Sequence, residues 1–168
     1  MQRTLIAAAV CGLLAACSST PQKTAEAPAP KAAADTRSVG ETDAQRIDRI
    51  MKMLATNSIY FDYDNYTVKP QYAAQLKSDF EALNSMPSLA LRLEGNADER
   101  GSTEYNLALG QKRAEAVRRA LVMMGVPEAR LEAVSYGKEK PRATCHEEKC
   151  WAEDRRVDFA QKQANAAR

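Results

Sequence analysis

Between Leu91 and Leu121 the pattern changes from a period of two to a helical period across one glycine-bounded loop. Leu91 and Leu93 alternate with Arg92 and Glu94, as a half-buried strand does. Gly95 and Gly101 bracket the loop that follows, where backbone amides can come close to a ligand. A helix is expected from Ser102 or Thr103 to Met124, with Glu104 in its first turn, Gly125 at its end, and Leu107, Ala114, Val117 and Leu121 on one apolar stripe. Asn106 and Arg113, seven residues apart, lie within about 20° of each other along one edge of that stripe. Both can face the mouth of the loop that carries Asp98.

The residues around this unit predict a short helix over 43–56, with Ile47, Ile50, Met51 and Leu54 on one face, and a strand over Ile59–Asp62. A helix after Pro70 carries Tyr72, Leu76, Phe80 and Leu83, and strands are expected near Leu131–Ser135 and over Arg156–Ala160. Strands alternating with helices imply an α/β sandwich, a mixed sheet of about four strands with the helices on one face.

The N-terminal residues bear on compartment. Arg3 is the only charge before Cys17, Leu5–Leu14 is apolar but too short to span a bilayer, and Leu14-Ala-Ala-Cys17 supplies small residues before a cysteine. The reading is a lipoprotein signal peptide over 1–16 with Cys17 as the lipidated first residue. Residues 17–42 are rich in Ala and Pro and form a tether, which spans ~80 Å if fully extended. Losing Arg3 takes the formal charge from +2 to +1, a balance that points away from nucleic acid.

A guanidinium can take a carboxylate through two parallel hydrogen bonds, and a carboxylate suits an ammonium group. Arg113 and Asp98 could therefore hold the two charges of an amino-acid end, or pair with each other as an internal ion pair. Glu99 and Arg100 could contribute to a protein interface, but exposed loop charges usually do little, and Lys112, Glu115, Arg118 and Arg119 read as the solvated side of the helix. Cys145 and Cys150, with the sole His146 between them, offer too few ligands for a metal site and read better as a structural disulfide, worth about 2 kcal/mol. With that loop remote in sequence from Asp98 and Arg113, ligand binding is expected to survive reduction. A hydrolase is disfavoured because no Ser/His or Cys/His constellation is available. No metal or cofactor is required.

Glu94-Gly-Asn-Ala-Asp-Glu-Arg-Gly101, Tyr105-Asn106 with Leu109, and Arg113-Ala-Glu-Ala-Val117 resemble the motifs of the peptidoglycan-binding domain shared by outer-membrane protein A, flagellar stator proteins and peptidoglycan-associated lipoproteins. The resemblance runs over residues 57–161, continues through Ile59-Tyr-Phe-Asp-Tyr-Asp64 and Val134–Pro141 to Arg155-Arg156-Val157, and is nearest to the lipoprotein branch. It implies an OmpA-like fold and recognition of meso-diaminopimelate in the peptidoglycan stem peptide, with Asp98 on the ammonium, Arg113 on the carboxylate, and Asp64, Asn106 and Leu109 lining the pocket. Alanine at Asp98 or Arg113 is expected to weaken binding by well over about tenfold and leave the fold largely intact. The resemblance further implies an acylated, palmitate-bearing anchor at Cys17 in the outer membrane, since Ser18 and not Asp follows it, with the domain facing the periplasm. It also implies partnership with the β-propeller TolB and other Tol proteins in envelope integrity and cell division. Asn96 departs from the branch, which carries histidine there. One of Arg155 and Arg156 would buttress the pocket. The alternative is an outer-membrane subunit that binds only proteins.

Overall fold

The computed structural model describes residues 40–163; the signal peptide, Cys17, most of the tether and the end of the tail at 162–168 lie outside the described residues. Four helices and four strands run in the order α1 (Asp43–Thr56), β1 (Ile59–Tyr60), α2 (Ala73–Ser85), β2 (Leu91–Asn96), α3 (Thr103–Met123), β3 (Leu131–Gly137), α4 (Glu148–Asp154) and β4 (Arg156–Gln161). The sheet order is β1-β4-β2-β3. β2 pairs parallel with β3 and antiparallel with β4, and β4 pairs antiparallel with β1. This is the expected mixed α/β sheet. The parallel β2–β3 pair requires a crossover, and α3 supplies it.

Alternation in β2 places Leu91 and Leu93 in the core with Val157 and Phe159 of β4. Leu83, Leu89, Val117 and Leu121 close over them, and Ile50 and Leu54 of α1 join the same cluster. α1 starts with a capping box, in which Thr42 accepts from the Gln45 N–H while the Gln45 side chain accepts from Thr42 N–H. The opposite sheet face is polar: Arg92 pairs with Glu132 and Lys140 with Glu94.

The contact between β2 and α3 has no room for side chains. A Cβ on Gly95 would collide with the carbonyl of Gly110, and one on Gly110 with Ser135 Oγ. Gly95 thus serves close helix–sheet packing, not the approach of a ligand as its loop position suggests. Gly101 does lie in the left-handed region, at φ 91°, and ends the loop before Ser102 caps α3 by accepting from Tyr105 N–H.

Several expected boundaries shift. β1 is only Ile59–Tyr60, because beyond Phe61 the chain turns away to build the site. α4 leaves no periodic signal in the sequence, because it is only seven residues long and carries charges rather than an apolar stripe. In α3 the buried positions are Asn106, Leu109, Gly110, Arg113, Ala114, Val117 and Leu121, whereas Leu107 is exposed. The inward stripe therefore runs through Asn106 and Arg113, which take its centre, not its edge.

Candidate functional site

Asp64, Asp98, Asn106, Leu109 and Arg113 come from three separate stretches of chain and line one cavity of about 110 Å³, together with Tyr63, Arg100 and Tyr105. The volume suits a small charged head group and falls below the ~300 Å³ at which drug-sized pockets begin.

Arg113 is fully buried on α3. Its Nε donates to Asn65 O at 2.8 Å, Nη1 to Asn96 O at 2.9 Å and Nη2 to Asp62 O at 3.1 Å. It forms no ion pair among the described residues, so the internal Asp98–Arg113 pair is not what holds the site together. A guanidinium carries five N–H groups; three are committed to carbonyls, leaving one on each terminal nitrogen. Burial, aided by the positive charge of Arg155, draws its pKa down to about 10, against which the negative charges of Asp98 and Asp64 act. The side chain remains charged at neutral pH, and its burial beside Arg155, net of the two carboxylates, costs on the order of 3 kcal/mol. An anion at those two N–H groups would offset that cost.

Asp98 is buried in the loop between β2 and α3. Its Oδ1 accepts from Arg100 N–H at 3.1 Å and Arg100 Nε at 3.3 Å, and its Oδ2 from Arg100 Nη2 at 2.6 Å and Arg155 Nη1 at 3.3 Å. Burial raises its pKa, but these donors outweigh it and hold the carboxyl below its ordinary value. Arg100 is therefore not the idle loop charge expected from sequence. Its guanidinium carbon lies 4.1 Å from the ring centres of both Tyr63 and Trp151.

Asn106, behind Arg113 on the same helix, donates from Nδ2 to Arg100 O at 2.8 Å and so ties helix to loop. Asp64 adopts φ 51°, and its Oδ1 accepts from Tyr105 OH across the mouth. Asn96 turns its side chain away from the cavity, donating to Glu94 O at 2.9 Å and Asp158 Oδ2 at 3.4 Å; only its backbone carbonyl serves the site.

The two consecutive arginines separate. Arg155 points to the site, bonded to Asp98, to Phe61 O at 3.1 Å and to Glu148 at 2.5 Å. Arg156, the first residue of β4, faces the other way, toward Asp158 at 2.8 Å and Asp154 at 3.7 Å.

Cys145 and Cys150 are bonded, with Cα atoms 5.6 Å apart. Their loop is remote from the site in sequence but not in space. Glu99 accepts from Trp151 Nε1 at 2.8 Å and meets His146 Nδ1 at 2.7 Å, and Glu148 lies 3.8 Å from Arg100. The pairing of cysteines was legible from their count; the docking of their loop onto the Asp98 loop was not.

A family model described as the OmpA family matches residues 60–156. The chain is 55% identical to the crystal structure of the peptidoglycan-associated lipoprotein from Burkholderia pseudomallei, covering 62% of this chain and 89% of that one at a TM-score of 0.61. It is 48% identical over 105 residues to the peptidoglycan-associated lipoprotein of Pseudomonas aeruginosa, 62% of either chain. Several of the curated relatives it matches are thus spanned over only about three fifths of their length. The C-terminal domain of Helicobacter pylori MotB shares the fold at 19% identity, with a TM-score of 0.57.

Proposed function

The chain belongs to the OmpA family, in the branch of the peptidoglycan-associated lipoproteins, and from that premise we propose that it binds peptidoglycan noncovalently through the free end of meso-diaminopimelate. The observation that carries the reading is Arg113: a buried guanidinium with no ion-pair partner among the described residues, two N–H groups uncommitted, on a cavity whose other wall is the carboxylate of Asp98. A ligand carboxylate would complete Arg113, and the ligand's ammonium would face Asp98. Asn106 and Asp64 hold the walls, and Leu109 supplies an apolar surface for the methylene chain.

No general acid or base takes part in this scheme. The ligand's charges are already formed at neutral pH, and the site's work is electrostatic and positional, so no bond is made or broken. The protein is a binding module, not an enzyme, and purified sacculi incubated with it should release no muropeptides.

Around this domain we place a lipid anchor at Cys17 in the outer membrane, a tether over 17–42, the helix 43–56 docked on the binding domain 57–161, and a periplasmic orientation. The relatives' description as lipoproteins supports the anchor. Partnership with TolB and other Tol proteins belongs to the same proposal.

Sedimentation with purified sacculi tests the reading. Wild type should pellet with the wall and Asp98→Asn should remain in the supernatant. Wild type left in the supernatant would favour an outer-membrane subunit that binds only proteins.

A further inference from the structure

Asp98, as it stands in the structure, has no room for an ammonium. A carboxylate offers about four lone-pair sites, and four donors fill them: three from Arg100 and one from Arg155. An incoming cation must displace one of these donors.

The four are not equally movable. Arg155 is buried and further bonded to Phe61 O and Glu148. The backbone of Arg100 is pinned on both sides, its N–H on Asp98 and its carbonyl receiving Asn106 Nδ2. The Arg100 side chain, by contrast, is about one third exposed, with a relative accessibility of 31%. It can swing to solvent by rotation of its own stem, without movement of the loop.

We propose, on the reading given under Proposed function, that the Arg100 guanidinium is a built-in competitor for the ligand's ammonium: it plugs the cation subsite of Asp98 in the empty protein and leaves when the ligand enters. Tyr63 and Trp151 form the berth that holds it there, each ring 4.1 Å from the guanidinium carbon. Trp151 is itself positioned by its N–H bond to Glu99 and by the adjacent Cys145–Cys150 closure. The plug keeps Asp98 neutralised when no ligand is bound. Because apparent affinity falls with the fraction of protein in which the subsite is open, it also makes wall attachment weaker and more readily reversed than Asp98 and Arg113 alone would make it.

The chain contains a single tryptophan, and in the structure it lies against the plug, so its fluorescence reports departure directly. The test titrates the purified protein with a diaminopimelate-containing stem peptide, followed by Trp151 emission and by calorimetry. It is repeated for Arg100→Met and with the same peptide acetylated on the diaminopimelate amine. Wild type should bind the free amine with a saturable change in Trp151 emission. Arg100→Met should bind it about tenfold more tightly, with little further emission change, and the acetylated peptide should gain nothing from the substitution. A wild type that binds without any change in emission, or an Arg100→Met variant that binds the free amine no better or worse, overturns the plug. A wild type that binds no stem peptide overturns the reading of the site itself.

Discussion

Asp79 of α2 is fully buried, and only one of its carboxylate oxygens has a partner: Oδ1 accepts from Asn57 Nδ2 at 2.8 Å, and Oδ2 has none. Desolvation, only partly countered by the Asn57 bond, pushes its pKa up from 3.8 to about 6. The sign follows from proton linkage. Between these values the folded protein binds more protons than the unfolded chain, so this group's contribution to stability is present below pH 3.8 and is lost as pH rises through about 6. A difference of about two pH units corresponds to roughly 3 kcal/mol at neutral pH. Asp79→Asn removes the charge and keeps the shape. Chemical denaturation across the acid-to-neutral range should show the variant more stable than wild type by up to about 3 kcal/mol near pH 7.5, with the gap closing as pH falls toward 4. Taking the difference between the two proteins cancels the opposite slopes of Asp98, Glu99 and Glu148, whose pKa values are lowered by their partners. A variant less stable than wild type at neutral pH, or a gap that does not depend on pH, would refute the reasoning.

Gly95→Ala forces a methyl group into the Gly110 carbonyl and should cost about 1–3 kcal/mol by overpacking, read as a lower midpoint in thermal unfolding. Opening the disulfide in Cys145→Ser/Cys150→Ser should cost about 2 kcal/mol, and the same unfolding experiment measures it. Ligand affinity, followed by calorimetry against pH, should be flat from about pH 5 to neutrality, because Asp98 is held ionised below its ordinary range. It should fall at alkaline pH, first as the ligand's α-ammonium loses its proton and further as pH rises through about 10, where Arg113 loses its own.

The β2-loop-α3 unit was legible because its two periods are local: Leu91 and Leu93 alternate, and Ala114, Val117 and Leu121 recur at helical spacing. What Arg113 does was not, since its three carbonyl partners lie 17, 48 and 51 residues away in sequence and no pattern around Arg113 names them. The same distance hid the role of Arg100, whose ring partners Tyr63 and Trp151 stand on opposite sides of it in the chain. Residues Arg155 and Arg156 separate only because β4 begins between them, a boundary no propensity fixes to one residue. The burial of Asp79 does have a signal in the sequence: Leu76, Asp79 and Leu83 share one face of α2.

The carbonyl contacts also change how the site must be tested. Arg113→Ala would orphan three backbone acceptors and is expected to destabilise the fold, contrary to what its sequence position suggests. The decisive perturbation therefore belongs on the ligand. Calorimetry of the unaltered protein should compare a stem peptide carrying free meso-diaminopimelate with the same peptide amidated at the diaminopimelate carboxylate. If Arg113 receives that carboxylate, amidation removes one partner of a desolvated charge pair and should weaken binding by about 2–5 kcal/mol, well over tenfold. Equal affinity for the two peptides would contradict the account and leave Arg113 as a structural tie between α3 and its neighbouring loops.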